Sequence, residues 1–188
     1  MKSRHSSLLP LILVLALSQV FISVKSQDIN YHTPKDLIVY TYDLMTFRAG
    51  DKPDWDIIKG LFIEDALIVL RTSRTDMSIM DKDGFIDLWI RDYNRGLKET
   101  GITEEKIVDR YEIMGDIATC YVIYAVTIPD TDYPPQYGID CFHLLKQNDR
   151  WYITSIVNEV LRPGVDPPES MREEFAEYLN RTSGFLQL

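Results

Sequence analysis

Histidine and cysteine are scarce in this sequence, which contains three histidines and two cysteines among 188 residues. Beyond the first 26 residues the only histidines are His32 and His143, and they lie far apart in the chain. A metal site built from histidine or cysteine needs several such ligands at short spacings. We therefore expect no metal site of this kind.

Basic residues are also in the minority, with 20 lysines and arginines against 29 aspartates and glutamates, a formal net charge of −9. An acidic surface repels phosphate backbones and anionic lipid. We therefore expect no nucleic-acid partner. A glycine-rich phosphate loop is missing as well, so we expect no cofactor. A serine nucleophile elbow is also missing.

Long apolar runs are missing except at the N-terminus, where residues 8–24 follow a basic start. Val24 and Ser26 place small side chains at the two positions that a signal peptidase inspects. The pattern predicts a signal peptide over residues 1–26, a secreted or periplasmic protein, and no membrane contact after cleavage. The alternative is an uncleaved anchor, but polar residues and a proline leave the run short of the roughly 20 apolar residues of a span.

The rest of the chain has the length of one domain. We place this domain at residues 27–161 and a C-terminal tail at residues 162–188. In the tail, Met171, Phe175 and Leu179 recur at helical spacing. They predict a short amphipathic helix that docks on the domain or contacts a second copy.

Helices are predicted in the first part of the domain. Apolar spacing predicts a helix over residues 34–49, Asp54 caps a second, and Asp81 or Asp83 caps a third. Between the second and third helices, residues 65–71 form a continuous β-rich run. Such a run is typical of a covered strand.

Four further strands follow the last of these helices. They cover residues 105–114, 117–128, 137–147 and 151–160, and turn dipeptides separate the first pair and the last pair. Helices followed by an antiparallel meander predict an α+β fold with helices packed on one face of the sheet. A parallel βαβ architecture is disfavoured because no helix separates the last strands.

Four short stretches resemble one group of proteins. Arg-Ala-Gly-Asp at 48–51 and Leu-Phe-Ile-Glu-Asp-Ala at 61–66 resemble the opening of SnoaL-like and ketosteroid-isomerase-like proteins. Gly-Asp-Ile-Ala at 115–118 resembles their central turn, and Asn-Asp-Arg-Trp-Tyr-Ile at 148–153 resembles their closing one. The sequence thus resembles the nuclear transport factor 2-like superfamily over residues 33–160.

This resemblance implies a cone-shaped, strongly curved antiparallel sheet with the N-terminal helices packed on its concave face. It does not imply one function, because the superfamily includes isomerases, dehydratases, cyclases, transport factors and oligomerisation modules.

Asp140 is the first candidate for a catalytic side chain, because residues 139–142 resemble the ketosteroid-isomerase strand that carries a protonated, hydrogen-bond-donating aspartic acid. The alternative is an aspartate near a loop, satisfied by water or a backbone donor. Tyr42, or Tyr40 nearby, lies where the same enzymes place an oxyanion tyrosine. Leu70 occupies the position of their proton-abstracting carboxylate, so the resemblance argues against steroid isomerisation.

The last two strands are expected to form the wall of a pocket. Pairing Gln147 with Arg150 across their turn sets Asp140 opposite Val157 and directs one face of large apolar side chains, together with Asp140, toward the helices. We expect a ligand to contact Phe142, Leu144, Trp151, Ile153, Ser155 and Val157.

Three functions are compatible with the predicted fold and pocket. The preferred one is binding of a small, largely apolar molecule between helices and sheet. The second is an isomerase, dehydratase or other lyase that uses Asp140 and Tyr42. The third is a non-catalytic interaction module that forms a homodimer through an exposed sheet face carrying Tyr152, Ile156 and Ile139.

Two modifications depend on the environment of the chain. Cys120 and Cys141 lie on neighbouring predicted strands, so an oxidising compartment permits a disulfide if the register brings them to one face. Asn180 begins an Asn-Arg-Thr sequon, which predicts glycosylation if the source is eukaryotic.

Overall fold

The computed structural model describes residues 31–71 and 75–183. The predicted signal peptide and its cleavage point lie outside these residues. Within them, no helix is both long enough and apolar enough to cross a membrane.

The first helix, α1 (Pro34–Met45), begins at a reciprocal cap. The Thr33 hydroxyl accepts from the Asp36 N–H, and the Asp36 carboxylate accepts from the Thr33 N–H. The helix ends earlier than predicted because the next residues form a short strand, β1 (Phe47–Arg48), which pairs with residues 101–102.

Two shorter helices follow, and each begins at an aspartate. Asp54 caps α2 (Trp55–Lys59), and Asp81 caps α3 (Lys82–Asp92), where it accepts from the Gly84 N–H at 2.8 Å. The chain continues from α3 through a π-helical turn, Tyr93–Leu97, into α4, Lys98–Thr100.

Within the described residues, six strands follow β1: β2 (Phe62–Arg71), β3 (Met77–Asp81), β4 (Gly101–Met114), β5 (Ile117–Thr127), β6 (Gln136–Gln147) and β7 (Arg150–Val160). Together with β1 they form one open sheet in the order β1-β4-β5-β6-β7-β2-β3. Every neighbouring pair is antiparallel except β2 and β7, which run parallel. The predicted α+β class and curved, antiparallel-rich sheet are confirmed, but the parallel pair at one side was not expected.

Both faces of the sheet are covered in part. On the inner face, α1 to α3 pack over a core that includes Leu37, Ile38, Phe62, Phe142 and Ile153. On the outer face, α5 (Glu169–Ser183) packs Met171 and Phe175 against Val108 of β4 and Ile123 of β5. The three helices do not fill all of the space above the inner face of the sheet, and a cavity remains between helices and sheet.

Candidate functional site

A cavity of about 270 Å³ lies between α1 to α3 and the inner face of the sheet. Its wall is mostly apolar and includes Met45, Ile58, Phe62, Phe85, Trp89 and Phe142. Polar side chains from α1, β4, β5, β6 and β7 meet on its sheet side. The cavity therefore combines an apolar body with one polar end.

Asp140 lies at the centre of the polar end and accepts two hydrogen bonds. The Tyr42 hydroxyl donates to Oδ2 at 2.7 Å, and the Asn158 amide donates to Oδ1 at 2.9 Å. The same amide nitrogen also donates to the Tyr124 hydroxyl oxygen at 2.7 Å. Side chains of three elements thus meet at one carboxyl group, a fourth element is joined through Asn158, and both carboxyl oxygens act as acceptors.

The protonation of this group follows from its surroundings. Burial raises the pKa of Asp140 to about 6, although the hydrogen bonds from Tyr42 and Asn158 act in the opposite direction. Burial and the Asp140 charge also raise the pKa of Tyr42, so its phenol keeps its proton. At neutral pH, Asp140 is therefore an ionised acceptor, unlike the protonated donor that the resemblance implies.

Glu104 is a second carboxyl on the cavity, and it is not among the site residues predicted from the sequence. Burial raises its pKa to about 8, and the Asp140 charge contributes to the increase. Both side chains are only partly accessible, and both line the cavity. Near neutral pH one carboxyl is ionised and the other protonated, which is the arrangement that a base and an acid require.

The sequence gives only a weak indication that Glu104 faces the cavity. Residues 103–106 read Thr-Glu-Glu-Lys, which resembles a solvated surface. However, Glu104 lies two residues after the buried Ile102, and strand alternation puts both on the inner face.

Gly138 positions one ring of the polar end. A Cβ atom at this residue would lie 2.2 Å from the Tyr124 hydroxyl oxygen, so only glycine lets the ring lie against β6. That placement brings the hydroxyl to Asn158. A glycine inside a strand often marks such a close approach, and this signal was present in the sequence.

A bulge changes the register of the last two strands. Leu144 pairs with Ile153 as the turn predicts, but His143 pairs with Ser155, so Thr154 is an extra residue on β7. Its hydroxyl donates to the His143 carbonyl oxygen at 3.0 Å. Every β7 residue after the bulge is shifted by one position.

The shift reverses part of the predicted pocket. Asp140 lies opposite Asn158 instead of Val157, and the placements of Ser155 and Val157 in the pocket were wrong. Both turn to the outer face, where Val157 is 44% exposed. Ile156, expected on an exposed dimer face, instead lines the cavity.

Of the other predicted contacts, Phe142 lines the cavity directly. Leu144, Trp151 and Ile153 belong to the buried core beside it, and the Trp151 indole N–H donates to the His32 carbonyl oxygen at 3.1 Å. They support the wall and do not form its surface.

Leu70 also lines the cavity, so the position that the resemblance gives to a base is apolar. Its neighbour Arg71 lines the cavity too, and its guanidinium pairs with Glu159 at 3.0 Å. His143 lies on the outer face, where its Nδ1 is 2.8 Å from the Ser155 hydroxyl.

The two cysteines are free, so the disulfide that the sequence left open is not present. Cys120 pairs with Phe142 and is buried, whereas Cys141 pairs with Tyr121, and adjacent positions face opposite sides of a sheet. Asn180 is exposed on α5, and its glycosylation stays a prediction. Across residues 31–71 and 75–183, no cluster of histidine, cysteine or carboxylate side chains has the form of a metal site.

No family model matches the sequence. No curated protein matches it either.

Solved structures do match the fold. A nuclear transport factor 2-like protein with a cystatin-like fold from Novosphingobium aromaticivorans superposes with a TM-score of 0.55 at 15% identity, over 74% of this chain and 84% of that one. A protein from the same organism, provisionally named a scytalone dehydratase, gives 0.52 at 10% identity, over 68% and 81%.

A third structure, from Thiobacillus denitrificans, is provisionally named a calcium/calmodulin-dependent protein kinase type II association domain. It gives a TM-score of 0.54 at 12% identity, over 71% of this chain and 98% of that one. These likenesses confirm the nuclear transport factor 2-like fold. Because the sequence identities are this low, these likenesses indicate the fold and do not indicate the function of this protein.

Proposed function

We propose that this nuclear transport factor 2-like protein binds a small, largely apolar molecule in the cavity, with the polar group of that molecule against Asp140. The observation that carries the proposal is the cavity itself, about 270 Å³ in volume, with an apolar wall and one hydrogen-bonded polar end. Pockets for drug-sized ligands begin near roughly 300 Å³, so this volume favours a smaller molecule.

The two ends of the cavity have different roles in the proposed binding. Apolar surface removed from water at the wall supplies the affinity. The polar end selects ligands with one group that can hydrogen-bond there, because a buried polar group without a partner is costly. An entirely polar ligand would leave the wall unused.

Benzyl alcohol, which has one ring and one hydroxyl, tests this proposal by calorimetry. We expect a dissociation constant of about 1 mM, which is typical for a ligand with so few atoms. Leu70→Phe adds bulk inside the cavity and should weaken binding at least about tenfold. The matched control is Leu67→Phe on the same strand, where the side chain is 49% exposed and outside the cavity.

Two results would contradict the proposal. One is no binding by a folded wild-type protein, and the other is equal binding by both variants. Either result, together with a dimeric native mass, would favour the interaction module. The observation behind that alternative is the exposed apolar surface of the edge strand β3, where Met77 and Ile79 are 51% and 63% exposed.

A second candidate function is acid–base catalysis of the isomerase or lyase type. The observation that favours it is the pair of carboxyls with different proton occupancy, since the pKa of Asp140 is raised to about 6 and that of Glu104 to about 8. In this proposal Asp140 takes a proton, Glu104 gives one, and Tyr42 holds Asp140 in place.

Export is a further part of the proposal and is supported by the basic start, apolar run and small residues of the leader. Cleavage after Ser26 makes Gln27 the first residue of the mature protein. N-terminal sequencing of protein recovered from its native host checks this, and a retained Met1 would contradict it.

A further inference from the structure

The charged groups around the cavity are unbalanced. Asp140 and Glu104 both line it, and no ion pair holds either carboxylate. No neighbouring cation lowers the pKa of either group. The described part of the chain therefore places two acids in one partly enclosed space and pairs neither of them with a cation.

Arg71 is the cation on the cavity wall, and it is already engaged. Its guanidinium lies 3.0 Å from a Glu159 carboxylate oxygen, and the second oxygen of Glu159 pairs with Arg162. Two guanidiniums share the one carboxylate of Glu159, so this neighbouring group carries a net positive charge. Neither arginine forms an ion pair with Asp140 or Glu104, so the two acids of the polar end stay without a paired cation.

Aromatic side chains make up much of the remaining surface. Six of them line the cavity: Tyr42, Phe62, Phe85, Trp89, Tyr124 and Phe142. The face of an aromatic ring carries partial negative charge and attracts organic cations. The wall therefore suits a molecule that is both apolar in its body and positively charged at one end.

We propose that the ligand of this cavity is a small organic amine, bound as its ammonium cation between the carboxyl groups of Asp140 and Glu104 with its hydrocarbon part against the aromatic wall. The inference rests on the proposed ligand-binding function and names the chemical class of the ligand. An ammonium group brings a positive charge and three hydrogen-bond donors, which match the acceptor oxygens of the two carboxyl groups. An anionic ligand would meet repulsion instead.

Three probes of nearly the same shape test the inference by calorimetry near neutral pH: benzylamine, benzyl alcohol and benzoate. Benzylamine should bind about tenfold more tightly than benzyl alcohol, the factor expected of a charge-assisted hydrogen bond, and benzoate should not bind. A bound ammonium group favours the ionised form of Glu104, which glutamine cannot supply, so Glu104→Gln should weaken benzylamine binding about fivefold or more and leave benzyl alcohol within about twofold. Glu105→Gln makes the same substitution at an exposed neighbour, whose side chain accepts from Tyr178 at 2.9 Å, and should change neither affinity.

The outcomes separate this inference from the function on which it rests. If benzyl alcohol binds as tightly as benzylamine, or Glu104→Gln weakens both equally, the amine is excluded and the apolar pocket survives. If neither probe binds, both the pocket function and the amine fail.

Discussion

Asp140→Asn is expected to reduce protein-accelerated proton exchange at least about 100-fold, the contribution typical of a positioned base. The reaction is exchange of the methyl protons of acetophenone in D₂O, followed by proton NMR. Asparagine has the shape of aspartate and keeps a carbonyl acceptor for Tyr42, but it cannot take a proton. Benzyl alcohol affinity should fall by no more than about tenfold, the difference between a charged and a neutral acceptor, which is much less than the loss of exchange.

The expected reaction balances in protons. The Asp140 carboxylate takes a proton from the methyl carbon beside the carbonyl, and Glu104 gives its proton to the carbonyl oxygen. Asp140 exchanges the proton it has taken for deuterium from solvent and delivers that deuteron to the enol carbon, while the enol hydroxyl returns its proton to Glu104, so the ketone and both carboxyl groups are restored. Asp43→Asn is the control, because Asp43 follows Tyr42 directly but is exposed outside this cavity. Exchange no faster than in buffer, or equal exchange in Asp140→Asn, would exclude acid–base catalysis.

Glu104→Gln is expected to stabilise the protein in mild alkali and not in acid. Burial raises the Glu104 pKa from its ordinary 4.5 to about 8, so the folded protein holds a proton that the unfolded chain releases. The stability from this proton is fully present below about pH 4.5 and is lost as the pH rises through about 8. Above that pH the variant should be more stable by roughly 3 kcal/mol, below the full value of the shift because solvent reaches the cavity.

Urea unfolding at a series of pH values measures this difference. The groups that face Glu104 are Asp140, Tyr42 and Tyr124, and Asp43, Glu105 and Lys106 line a second pocket that Glu104 also borders. Glu105→Gln is again the control and should shift stability by less than about 0.5 kcal/mol. A stability difference between Glu104→Gln and wild type that does not change with pH would contradict the expected result.

Local chemistry made much of the scaffold predictable. Asp54 and Asp81 cap helices because their short carboxylates reach N–H groups that the first turn leaves unpaired. Asn148 and Asp149 adopt positive φ values at the tight turn between the last strands, so the start of the β6–β7 pairing could be read correctly. Tyr42 and Asp140, 98 residues apart, were singled out together and meet in one hydrogen bond.

The rest of the site depends on strand register and strand pairing, which cannot be predicted from individual residues. Thr154 is an ordinary strand residue, yet the bulge there exchanges the faces of Ser155, Val157 and Asn158. One unpaired residue reverses every later side chain, because the period of a strand is two. The parallel pairing of β2 with β7 joins segments distant in the sequence, and no local pattern encodes it.

Two carboxyl groups share one cavity and hold their protons differently. Carbon-13 NMR titration of the side-chain carboxyl groups measures this directly, with Glu104→Gln and Asp140→Asn used to assign the signals. We expect the Glu104 carboxyl to titrate with a pKa of about 8 and the Asp140 carboxyl with a pKa of about 6. Transitions of both groups at their ordinary values, 4.5 and 3.8, would contradict it.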